Sequence, residues 1–192
     1  MTLIHLKWEG PRTLPDSLLQ PGAVPRAAGV YLWAWRDFGR PAVHYVGYAS
    51  SIWDRQYQHV INFLGGGYPI ETRGAKRFWT PERPATGRST EDYEASVERM
   101  MWILREAEAA IGQARDYLNQ MYLFAAEAEA AEARTAEWML QTHLGLSKAG
   151  SSIASPAREV SNEAPAGWRD SDLLVFGHTL TLGDDGRVHD AV

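Results

Sequence analysis

Apolar side chains recur along this chain with two spacings, one of two residues and one of about 3.6, and the switches between them divide it into short strands and longer helices. Thr2, Ile4, Leu6 and Trp8 share one face of an extended run, which predicts a strand over residues 2–8. Residues 11–26 hold Pro11, Pro15, Pro21 and Pro25 and predict a loop or arm with one turn at 16–20. Residues 30–35 alternate, with Val30, Leu32 and Ala34 on one face and Tyr31, Trp33 and Trp35 on the other. Residues 37–41 predict a turn and 42–48 a second strand, so the pair forms an antiparallel hairpin bracketed by Gly29 and Gly47. Ser50 or Ser51 caps a helix that runs to about residue 64, with Trp53, Tyr57, Val60, Ile61 and Leu64 as its apolar stripe. Gly65, Gly66 and Gly67 end it.

Further along, residues 68–88 lose all periodicity. Ser89 to Asp92 opens a long helix to about 117, in which Tyr93, Val97, Met100, Leu104, Ala107 and Ile111 follow a four-three spacing. Residues 120–125 predict a strand and 127–146 a second long helix, rich in Ala and Glu, with Trp138 and Met139 inward. Residues 149–168 predict a Ser/Ala/Pro-rich linker, 173–182 a strand, and Gly183 to Gly186 a turn into a last short strand at Val188. The expected fold class is therefore α+β, a small antiparallel sheet flanked by helices with a helical insertion over 66–118. The expected division is an N-terminal strand and arm (1–28), a main domain (29–148) and a linker with a C-terminal hairpin (149–192).

Composition narrows the function classes. The 192 residues are 45% hydrophobic, with eight Trp, enough for a sizeable core. There is no Cys, which excludes disulfides, thiolate metal sites and a Cys nucleophile. No run approaches the ~18 apolar residues of a membrane helix, and residues 1–10 carry no leader-like apolar stretch, so a cytoplasmic protein without membrane contact is expected. The formal net charge is −5, so any grip on nucleic acid must come from a local basic patch. The one clearly basic stretch is 68–88, where Arg73, Lys76, Arg77, Arg83 and Arg88 outnumber Glu71 and Glu82, with Phe78 and Trp79 among them.

Chemistry enters through one spaced pattern. Gly29-Val30-Tyr31 is followed after thirteen residues by Tyr45-Val46-Gly47, after seven more by Arg55, and after three more by His59. Arg55 and His59 are four apart and stack on one helix face, opposite the apolar stripe by helical rotation. The pattern resembles the signature of the GIY-YIG nuclease family over residues 29–146. That resemblance implies a hairpin carrying the paired tyrosines Tyr31 and Tyr45, Arg55 as phosphate ligand and His59 as acid/base partner. It also implies a later helix carrying a glutamate that holds Mg²⁺ or Mn²⁺. Glu137, followed by Trp138 and Met139, fits that glutamate best; Glu132 is second, and Glu127 and Glu129 follow. The family often has an Asn about twelve residues further on, where this chain has Ala149, and a small or basic residue after the second triplet, where this chain has Tyr48. Residue types agree with the implied chemistry. An Arg holds phosphate through two hydrogen bonds, a carboxylate-bound cation polarises the phosphoryl oxygen, and a Tyr or His accepts a proton.

The leading expectation is thus a metal-dependent endonuclease hydrolysing nucleic-acid phosphodiester bonds, with DNA the expected partner and Arg73, Lys76 and Arg77 of the insertion meeting its backbone. Two others stand beside it. One is an enzyme of the same fold acting on a small molecule, an anion among the candidates, anchored by Arg55. The other is a binding module without catalysis.

Overall fold

The computed structural model describes residues 3–20, 22–35, 42–65, 97, 101–146, 155–168, 173 and 175–191. The fold is α+β: two four-stranded sheets, mostly antiparallel, flanked by helices. Strand β1 (Leu3–Lys7) buries Ile4 and Leu6 on one face, as the alternation requires. The proline-rich arm is a correction. It holds strand β2 (Glu9–Thr13) and helix α1 (Leu14–Leu19). Pro11 is tolerated because β2 is an edge strand, and Pro15 because it lies in the first turn of α1, capped by Thr13.

The predicted hairpin is present as β3 (Gly29–Trp35) and β4 (Ala42–Ala49), antiparallel and placing Tyr31 opposite Gly47 and Trp33 opposite Tyr45. Helix α2 (Ile52–Leu64) follows, capped by the Ser51 hydroxyl, with Gly65 at its C-cap. The insertion's basic residues Arg73, Lys76 and Arg77 lie outside the described residues, as does the turn at 37–41. The long helix expected over 89–117 is interrupted at Glu106. Residues 101–105 are helical, and α3 (Ala107–Asn119) begins anew with Glu106 as its N-cap. Its buried face is Ala110, Ala114, Tyr117 and Leu118, while Leu104 and Ile111 of the expected stripe are exposed. Strand β5 (Met121–Glu127) and helix α4 (Ala130–His143) match the expected elements.

The expected linker contains strand β6 (Glu159–Glu163), which pairs in parallel with β1. Among the described residues of the strand expected over 173–182, only β7 (Thr179–Leu182) is extended; Leu173, Val175 and Phe176 are core residues before it, the last two in a turn. Strand β8 (Val188–Ala191) closes the expected hairpin.

The central sheet runs β2-β5-β3-β4 and the outer sheet β1-β6-β7-β8. Because side chains alternate along β3 and β5, the central sheet feeds two cores. Val30, Leu32, Ala34, Phe124 and Ala126 pack against α4 and the outer sheet. Tyr31, Trp33, Met121 and Leu123 pack against α1, α2 and α3. Each fully buried aliphatic side chain stabilises the fold by roughly 1.5–3 kcal/mol, so both layers hold the hairpin rigid at its tyrosines. Among the described residues no helix is long and apolar enough to cross a membrane.

Candidate active site

The inward face of α2 differs from the apolar stripe expected of it. Ile52, Gln56, His59 and Phe63 are buried, whereas Tyr57 and Ile61 are about half exposed. Two polar side chains therefore point at the central sheet, and each meets a ring there. Gln56 Oε1 accepts a hydrogen bond of 3.0 Å from Trp33 Nε1, and His59 Nε2 lies 2.8 Å from the Tyr31 hydroxyl.

Around that hydroxyl the residues of both triplets and of the helix come together. The Tyr31 and Tyr45 ring centroids are 5.9 Å apart, Tyr31 and His59 5.7 Å, and Trp33 and His59 4.6 Å. Arg55 and Tyr45 lie close enough to the Tyr31 hydroxyl for their charges to act on it. Gly47 makes this possible: a Cβ there would sit 2.5 Å from the Tyr31 hydroxyl and 2.8 Å from a Tyr45 ring carbon. A Cβ on Gly29 would overlap the Ala126 carbonyl oxygen of β5 and come within 2.9 Å of Ile52. Both glycines are thus required by close packing of the hairpin against its neighbours.

Burial and the neighbouring tyrosine push the Tyr31 pKa well above its ordinary value of 10.0, against a smaller opposing effect of Arg55. Tyr31 is protonated at neutral pH and donates to His59. Burial, with Arg55 adding to it, lowers the His59 pKa from 6.5 to about 3, so its Nε2 is a neutral acceptor. Tyr31 has no exposed surface and His59 almost none, whereas Tyr45 and Arg55 are partly exposed. The arrangement is layered: Tyr45 and Arg55 meet solvent, and Tyr31 and His59 fix them from behind.

The buried imidazole has a consequence for stability. The unfolded chain takes up a proton on His59 near pH 6.5, the folded protein only near 3. Between these values the unfolded state binds the extra proton, so the contribution is whole above pH 6.5 and is lost on acidification. Between pH 7 and pH 4 this residue should cost the wild type about 3 kcal/mol of unfolding free energy. Urea titrations at the two pH values should show a fall smaller by about that amount in His59→Gln. Equal falls in the two proteins would count against a buried, neutral His59.

The glutamate candidates separate cleanly. Glu127 and Glu129 are exposed and Glu132 is partly buried in the first turn of α4, while Glu137 is 7% exposed. Burial raises its pKa from 4.5 to about 7, opposed by the Tyr48 backbone N–H and by the charges of Arg134 and Arg55. Gln141 Nε2 donates to Glu137 Oε1 at 3.3 Å and to the Val46 carbonyl at 2.9 Å, tying the carboxylate to β4. Glu137 Oε2 is buried with no hydrogen-bond partner among the described residues. Ala149 lies outside the described residues, and Asn162 is committed to the outer sheet, where it accepts from Trp8 Nε1 at 3.1 Å.

A cleft of about 860 Å³ opens where β4 ends and α2 begins, with the first turns of α4 as its other wall; of Tyr31, Tyr45, Arg55, His59 and Glu137, Arg55 is the one that lines it. Arg55, Tyr48 and Arg134 line it, and Asp54 is its acidic side chain. Sequence reasoning passed over Arg134 and Gln141. The available signal was their spacing from Glu137, three residues before and four after, which puts all three on one face of α4. No protein-family model, curated protein or solved structure matches the chain.

Proposed function

We propose that this protein is an endonuclease of the GIY-YIG type that hydrolyses DNA phosphodiester bonds with one divalent cation, Mg²⁺ or Mn²⁺, held by Glu137. The observation that carries the reading is the meeting of Tyr31, Tyr45, Arg55 and His59 around one hydroxyl, over a glycine that leaves room for it. These four were singled out by a spacing that resembles the family signature, and their proximity on one side of the central sheet supports the reading.

The metal assignment rests on Glu137 Oε2, a buried carboxylate oxygen with its hydrogen-bonding capacity unused among the described residues. Among those residues no group of three His, Cys, Asp or Glu could cage a cation. A single carboxylate suits Mg²⁺, which takes its other ligands from water and substrate phosphate. A cation bound there supplies Lewis-acid polarisation of a phosphoryl oxygen and an acidified water. The protein's own part is positioning and charge. Arg55 binds the scissile phosphate and stabilises charge that builds on it. Tyr45 is the partly exposed tyrosine of the cluster. Tyr31, hydrogen-bonded to His59 and packed on Gly47, keeps both in place.

A small-molecule substrate would call for an aromatic, enclosed pocket. The cleft is open and, among the described residues, is lined by Tyr48 and Tyr57 with no Trp, and by two arginines against one aspartate, a surplus of positive charge that favours a polyanion.

The test is incubation of the purified protein with supercoiled plasmid, single-stranded DNA and branched DNA at low salt. With Mg²⁺ or Mn²⁺ at least one form should be cut, and chelation by EDTA should stop cutting by at least about 10²-fold. Wild-type protein that neither binds nor cuts any of them with metal present would end the endonuclease reading.

A further inference from the structure

Tyr48, the residue that follows the second triplet, carries a guanidinium on its ring. The Arg134 Cζ lies 5.0 Å from the Tyr48 ring centroid, and its Nη2 donates a 2.7 Å hydrogen bond to the Tyr48 hydroxyl. Both residues line the cleft that Arg55 borders from α2. Elsewhere, Arg115, Arg158 and Arg187 each have an aspartate oxygen within 4 Å. Arg134 has no carboxylate at salt-bridge distance among the described residues, although it sits on a glutamate-bearing helix. Its only hydrogen-bond partner there is a neutral phenol, so most of its five N–H donors stay available to a ligand that enters the cleft. A guanidinium held by stacking and one hydrogen bond is already ordered for a bidentate acceptor, so little side-chain freedom is lost when one arrives.

We infer that Arg134, held over Tyr48, is a second phosphate-binding cation of the cleft and grips the DNA backbone at a phosphate beside the one Arg55 engages. This deepens the endonuclease reading and rests on it. Tyr48 is then a positioning residue, and the large side chain after the triplet serves as the platform for a cation contributed by a helix 86 residues away. Two arginines from opposite walls also give the net acidic chain a local positive cleft. A backbone contact of this kind fixes the register of the strand and carries no sequence information.

The experiment measures duplex DNA affinity as a function of NaCl concentration, and steady-state cleavage, for the full chain and for Arg134→Gln, Arg134→Lys and Tyr48→Phe. Arg134→Gln should lower the salt slope by about one and raise KM about tenfold, with a smaller change in kcat. Tyr48→Phe keeps the charge, so the slope should hold while KM rises about threefold, a split that a merely structural tyrosine would not produce. Arg134→Lys should restore the slope but not the whole of KM, because an ammonium neither stacks nor forks. If the wild type cuts DNA and Arg134→Gln has its slope and KM, the inference falls and the endonuclease reading stands. If the wild type shows neither salt-sensitive binding nor cleavage, both fall.

Discussion

Replacement of Arg55 by Ala should lower kcat for DNA cleavage about 10³-fold and leave DNA affinity within about threefold of wild type. The asymmetry follows from where the residue sits. Affinity for DNA comes from contacts spread along the backbone, of which Arg55 is one, whereas charge builds in the transition state only at the scissile phosphate. The Arg55 charge also acts on Tyr31, His59 and Glu137, lowering the pKa of each, so its loss disturbs the cluster behind the phosphate as well. Single-turnover cleavage rates and equilibrium binding, measured on the same duplex, separate the two effects. Equal losses in rate and affinity would make Arg55 one more backbone contact. An unchanged rate would remove it from the site.

The parts of this molecule that could be read in its sequence are those governed by local rules. The β3–β4 hairpin was visible because Val30, Leu32 and Ala34 alternate with Tyr31, Trp33 and Trp35 and both faces are buried, one in each core. The spacing of Tyr31, Tyr45, Arg55 and His59 was visible through its resemblance to a family signature, and the hairpin followed by a capped helix places these residues near one another. The inward face of α2 was misread because a periodicity of apolar residues cannot see a buried face built on Gln56 and His59, each hydrogen-bonded to a ring across the interface. Tyr57 and Ile61 fell on the solvent side for the same reason.

What escaped is non-local. Strand β6 reads as polar, Glu-Val-Ser-Asn-Glu, and becomes a strand by pairing with β1 from the other end of the chain. Asn162 within it is buried because Trp8 supplies its hydrogen bond from 154 residues away. Nothing near either segment announces the pairing. Likewise Tyr48 stood out only as a departure from the family pattern and Arg134 not at all, and their meaning lies in the contact that α4 makes when it packs on β4.

Glu137 joins the chemistry to the stability of the fold. Its pKa of about 7 in the folded protein, against 4.5, means that between those values the folded state holds a proton that the unfolded chain has released. The stabilising contribution is therefore whole below pH 4.5 and is lost as pH rises through 7, after which the fold bears the cost of a buried negative charge. A Gln of the same shape carries no such charge. At pH 8 and without metal, Glu137→Gln should be more stable than wild type by about 2 kcal/mol, less than the full shift implies because water in the adjoining cleft and the two arginines screen the carboxylate. Mg²⁺ should raise the wild-type Tm, since it binds the folded state alone, and should leave that of Glu137→Gln where it was. Cleavage by the variant should fall at least about 10³-fold. A gain in stability with a loss of activity is what a charge kept for function produces, because a carboxylate kept for packing would lose both together. Thermal melts at pH 8 with and without Mg²⁺, set beside cleavage rates, decide between them: a variant that melts well below wild type in the absence of metal makes Glu137 a structural residue and leaves the proposed cation without its ligand.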